Sequence, residues 1–197
     1  MKKNQLETLL LQSLEHEMGG VKVYTAALEC AVNADLKKEW QNYLEQTRTH
    51  VTTLEEVCRS LKIDPAREIP GRAVVRTVGK SLVDAMKQAQ SAGDRAAAEI
   101  VAAESVVLAE TKDHLDWELI GKCAEQLTGA EAEALKAAYD KIEDQEDEHL
   151  YHTKGWCREL WLQSLGLKAI LPPPEERRHV KTAIGAARAE QSAEKAR

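Results

Sequence analysis

Residues 143–152 read EDQEDEHLYH. Within this stretch Glu146 and His149 stand three apart, so on a helix they lie one above the other and both reach a single cation. The same residue types recur at Glu17, His50, Glu110 and His114. Mixed carboxylate and imidazole donors suit iron or manganese, with zinc as another occupant. Steps of three and four residues place each of them in the middle of an apolar stripe: Leu10, Ser13, Glu17, Gly20, Tyr24; Tyr43, Thr47, His50, Leu54; Ala103, Val107, Glu110, His114, Trp117; and Leu135, Tyr139, Ile142, Glu146, His149, Thr153, Trp156. A lone carboxylate carried into an apolar interior costs several kcal/mol even after relaxation, so facing carboxylates need a compensating cation.

The elements that must position these residues are helices. The 197 residues are rich in Ala, Leu, Glu, Lys and Gln, lack Phe, and confine proline to positions 65, 70 and 172–174, a helical composition without strand signals. Periodicity and breakers predict helices over 4–33, 35–61, 73–91 and 94–127, then one from Gly129 to 165. Very short turns join the first two helices and the last two, and about thirty residues separate the pairs, which predicts two antiparallel hairpins and a crossover. Residues 1–166 are expected to form one all-α domain, followed by a charged extension, 167–197, opened by LPPP.

The hairpins read as copies of one another. Glu17, Tyr24, Leu28 and Cys30 fall on Glu110, Trp117, Gly121 and Cys123 at one constant offset. Trp40, Tyr43, His50, Val57 and Cys58 likewise fall on Tyr139, Ile142, His149, Trp156 and Cys157. Duplicated hairpins packed together imply a local pseudo-two-fold axis, and residues near that axis meet their own counterparts.

With Glu17 on the first helix, Glu110 on the third long helix and EDEH on the fourth, the chain resembles the ferritin-like superfamily of rubrerythrins, bacterioferritins and small bacterial ferritin-like stress proteins. That group takes one Glu from each of two helices and a Glu-x-x-His from each of the others. The resemblance covers about residues 6–165. It implies a ferritin-like four-helix bundle of two antiparallel hairpins, joined by a long crossover that contains a short extra helix. It also implies a di-iron centre with oxidase, peroxidase or ferroxidase activity toward dioxygen or peroxide, in a cytoplasmic, stress-related protein that dimerises. The chain departs at Thr47, where the family pattern has Glu. The expected metal ligands are Glu17, His50, Glu110, Glu146 and His149, with His114 as the extra one, and Gln46 or Glu45 as other substitutes for the missing carboxylate. The expected centre is asymmetric: firm at Glu110, Glu146 and His149, weaker beside Glu17 and His50.

Other classes are disfavoured. A formal charge of -6 with interspersed signs offers no basic stripe for nucleic acid and no polybasic membrane anchor. No segment reaches the ~18 apolar residues of a membrane span, and the N-terminal segment lacks the pattern of a signal peptide. Cys30, Cys58, Cys123 and Cys157 stand apart without a C-x-x-C pair, so they read as small buried hydrophobes and any electron donor must be a separate protein. Tyr24 and Trp117 read as core packing, with electron relay as the other reading. His152, Glu148 and Glu143 read as flanking groups, and His16 and His179 as surface residues. Two further functions stay open: metal binding or storage without turnover, and an interaction protein whose metal site has decayed.

Overall fold

The computed structural model describes residues 2–170 and Pro174; the proposed C-terminal extension lies almost wholly outside them. The described chain is all-α, with no strand among the described residues: α1 (Lys3–Cys30), α2 (Ala34–Ser60), α3 (Pro70–Ser91), α4 (Arg95–Gln126) and α5 (Ala130–Ser164). None of these helices is long and apolar enough to cross a membrane.

Local chemistry sets the boundaries. Asn33, expected to end the first helix, instead caps the second, its side chain accepting from the backbone N–H of Asp35 and Leu36. The α1 helix therefore stops at Cys30, and buried Glu99 of α4 secures the turn by accepting from Val32 N and Asn33 N at 2.7 and 2.6 Å. Helix α3 starts at Pro70 rather than 73, because proline fits a first helical turn, where its missing N–H has no partner to lose. Asp94 caps α4 through Ala97 N. The α5 helix closes on Gly166, whose φ of 68° lets Leu167 N bond back to Leu162 O at 2.8 Å.

Helices α1 and α2 pack together, as do α4 and α5; α1 also meets α4 and α2 meets α5, while α3 lies against α1 and α4. Glu15 of α1 ties α3 in place. It accepts from Arg72 Nε at 2.9 Å and Arg76 Nε at 2.7 Å, and Arg72 also donates to the carbonyls of Pro65 and Arg67. Burial alone would raise the Glu15 pKa, but Arg76 and Arg72 hold it below its ordinary value.

Two apolar layers result. One contains Tyr24, Trp40, Met86, Val106 and Trp156; the other contains Leu10, Leu14, Leu54, Trp117, Leu135 and Ile142. Of the carboxylates and imidazoles anticipated from the sequence, Glu17, His50, Glu110, Glu146 and His149 sit buried among them.

Candidate metal centre

Glu17, His50, Glu110, Glu146 and His149 come from α1, α2, α4 and α5, and each is at most 3% exposed. They fall into two groups, Glu17/His50/Glu146 and Glu110/Glu146/His149, each with donor atoms within 4.8 Å of one another. Glu146 belongs to both. Its Oε1 lies 3.0 Å from His50 Nδ1 and 3.7 Å from His149 Nδ1, while Glu17 Oε1 is 3.3 Å from His50 Nδ1 and Glu110 Oε2 is 3.6 Å from His149 Nδ1. The two imidazoles stack with centroids 5.6 Å apart.

The duplication explains how these groups are held. His50 Nε2 meets Gln145 Oε1 at 2.9 Å and His149 Nε2 meets Gln46 Oε1 at 2.8 Å. The two glutamines occupy equivalent positions in the two hairpins, so each copy orients the histidine of the other. An amide oxygen only accepts, which assigns the Nε2 proton and turns each Nδ1 toward the carboxylates. The crossing recurs with the aromatic pair: Trp117 donates to Glu17 Oε1 at 2.8 Å, and buried Tyr24 faces Glu110, each perturbing the other's titration. These aromatics are core residues that also hold carboxylates.

Polar satisfaction stops at the centre. Glu17 Oε2, Glu110 Oε2 and Glu146 Oε2 are buried without a hydrogen-bond partner, and the Nδ1 atoms of His50 and His149 meet only the carboxylates of the cluster. Leaving such atoms unmatched costs about 1–3 kcal/mol each, more where they are charged. Burial pushes Glu110 up to about 8 and Glu146 up to about 7. Burial alone would lower His50, but the Glu17 and Glu146 carboxylates drive it to about 11, whereas burial takes His149 down to about 4. The metal-free cluster thus keeps protons where a cation would otherwise neutralise charge. The donor set fits a cation that displaces these protons: three carboxylates and two imidazole nitrogens converge on one region.

Several expectations are corrected. His114 joins neither group. It turns to Asp147, with Nε2 2.7 Å from Oδ1, and lies 4.0 Å from Glu118 through Nδ1. The buried line of α4 runs Ala103, Val106, Glu110, Asp113, Trp117, so packing selects the three-residue step after Glu110 and leaves His114 on the flank. Asp113, missed by the sequence reading, is 3% exposed with Oδ1 unpartnered, and burial, then Glu17, Glu146 and Glu110, push its pKa well up. Gln46 orients His149, and Glu45 pairs with Arg48 on the surface. The Thr47 hydroxyl donates to Tyr43 O, and its methyl would lie 3.2 Å from a Cβ at Gly20. His16 is buried rather than a surface residue, 2.9 Å through Nε2 from Ala109 O. His152 meets the Tyr43 hydroxyl at 2.7 Å, and Glu143 accepts from the Tyr139 hydroxyl. His179 lies outside the described residues. Gln145 was legible as the counterpart of Gln46 in the repeat; Asp113 had only its three-residue spacing from Glu110.

Comparison with protein-family models, with curated proteins and with solved structures found no match to this chain.

Proposed function

We propose that this chain is a ferritin-like metalloprotein that holds two cations, iron first and manganese or zinc as alternatives, between its two helical hairpins. The observation that carries the reading is Glu146, buried, common to both donor groups, faced by both imidazoles and with its Oε2 left unpartnered. Glu17 and His50 would hold one cation and Glu110 and His149 the other, with Glu146 within reach of both groups. Bound iron would supply redox chemistry toward dioxygen or peroxide of the oxidase, peroxidase or ferroxidase type. The chain's own residues do the rest: Gln46 and Gln145 fix the imidazoles, Trp117 and Tyr24 position Glu17 and Glu110, and Asp113 holds a proton beside the carboxylates. The apolar layers limit water. The four cysteines are free and dispersed, so reducing equivalents would come from a separate donor protein.

An anaerobic Fe(II) titration, followed by exposure to oxygen or peroxide while absorption is recorded, tests metal count and redox competence together. Two equivalents bound, with a new absorption band on oxidation, are expected; no binding by wild type refutes the reading. Glu146→Ala should abolish the bound stoichiometry.

The second reading, binding without turnover at a degenerate site, is favoured by Thr47 alone, since it removes one expected carboxylate from α2. It predicts a single ion and no oxidation band. A sizing measurement on the purified chain tests the accompanying expectation of a dimer.

A further inference from the structure

A pocket of about 320 Å³ opens between α4 and α5. Trp117 and Glu146, both about 1% exposed, form its floor, and Glu118, Glu143, Asp147 and His114 line the way out. Its volume is many times the ~30 Å³ a water molecule occupies in the liquid, so it admits a hydrated ion. The floor is what distinguishes this pocket from a solvated acidic surface: Glu146, which lines it, is buried and keeps Oε2 without a hydrogen-bond partner.

The internal repeat sharpens the point. At the equivalent positions of the first hairpin stand Val21, Thr25, Leu44, Thr47 and Arg48 where the second has His114, Glu118, Glu143, Glu146 and Asp147. Val21 and Leu44 pack into an apolar cluster there, and Arg48 replaces an acid with a base. The copies match at Glu17 and Glu110, His50 and His149, and Gln46 and Gln145, but not at Glu146, which stands opposite Thr47, nor at the residues of this opening. Gly121 contributes to its shape, because a Cβ there would come within 2.8 Å of the Tyr139 ring that borders the pocket.

We propose that this pocket is the inlet through which divalent cations reach the centre, with Glu118, Glu143 and Asp147 drawing the hydrated ion in and the Asp147–His114 pair as its last stop before Glu146. The inference rests on the metal-centre reading. It adds a direction: cations arrive through the second hairpin alone. A cleft lined by one sign of charge raises local counter-ion concentration and association rates by 10–10³ in an ionic-strength-dependent way.

The test is stopped-flow mixing of the metal-free full chain with Co(II), followed by its visible d–d absorption. A Glu143→Gln, Asp147→Asn double variant is compared with wild type and with a Glu45→Gln, Glu55→Gln control that loses the same charge from α2. The inlet variant should reach the wild-type end point with a rate constant about tenfold lower and a flatter dependence on ionic strength, while the control keeps the wild-type rate. An inlet variant as fast as the control overturns the proposal and leaves the centre standing. Loss of the end point in the inlet variant also overturns it, by making these acids part of the final donor set. Wild type that takes up no cobalt removes the centre and the inlet together.

Discussion

Raising pH should weaken the metal-free protein sharply, and a bound cation should cancel the effect. Glu110 titrates at about 8, Glu146 at about 7 and His50 at about 11 in the folded chain. Unfolded, the carboxyls release their protons near 4.3 and histidines near 6.5. A group whose folded pKa is raised contributes stability while it is protonated, and that stability is lost as pH climbs toward its folded value. Between pH 6.5 and 8 the folded state therefore holds about two more protons than the unfolded chain. The unfolding free energy should fall by about 2–3 kcal/mol per pH unit there. His149, lowered to about 4, and His16, also lowered, act in the opposite sense below 6.5, so the decline is shallower on the acid side. A cation at one hundred times its dissociation constant adds about 2.7 kcal/mol and displaces the protons, which flattens the profile. Urea denaturation of chelator-treated protein at pH 6.5, 7.0 and 7.5, with and without Mn(II), measures both effects. Stability that is level or rising over this range would refute the electrostatic argument. A decline that Mn(II) leaves untouched would show that protons alone compensate the cluster.

Gln46→Leu or Gln145→Leu removes the acceptor that orients one imidazole and should weaken metal binding about 10–100-fold; calorimetric titration giving wild-type affinity for both variants would count against the crossed arrangement. Glu15→Ala strands the buried Arg72 guanidinium and should cost about 3–5 kcal/mol in urea unfolding, with a loss below 1 kcal/mol arguing that α3 is held otherwise. The same carboxylate has a lowered folded pKa, so its contribution is present above the unfolded value near 4.3 and disappears as pH drops through the folded value. Gly121→Ala pushes a methyl group against the Tyr139 ring and should cost about 1–3 kcal/mol by overpacking, read as a lowered thermal midpoint; an unchanged midpoint would mean the ring moves freely.

Much of this was written in the chain. Helix-forming composition, breakers and short turns located five helices, and the duplicated pattern aligned Glu17 with Glu110 and His50 with His149. Those four residues and Glu146 were assigned to the interior by the helical repeat, because each interrupts a stripe that is mostly apolar. The helix ends were less legible: Asn33 and Pro70 each suit more than one position around a terminus, and only the path of the chain chose between them.

Tertiary packing decided what periodicity leaves degenerate. After Glu110, steps of three and four residues both stay on the inner face; contact with the facing helices buried Asp113 and turned His114 out to Asp147. Gln46 and Gln145 acquired their roles from helices far away in sequence, since a hydrogen bond across a bundle has no local signature. The pocket over Glu146 likewise depends on how α4 and α5 pack, which brings His114, Glu118, Glu143 and Asp147 to one opening where the first copy has Val21, Thr25, Leu44 and Arg48. Sequence alone brought Glu17, His50, Glu110, Glu146 and His149 to notice, through composition and period; the fold decided which side chains meet, because proximity depends on the relative rotation of packed helices.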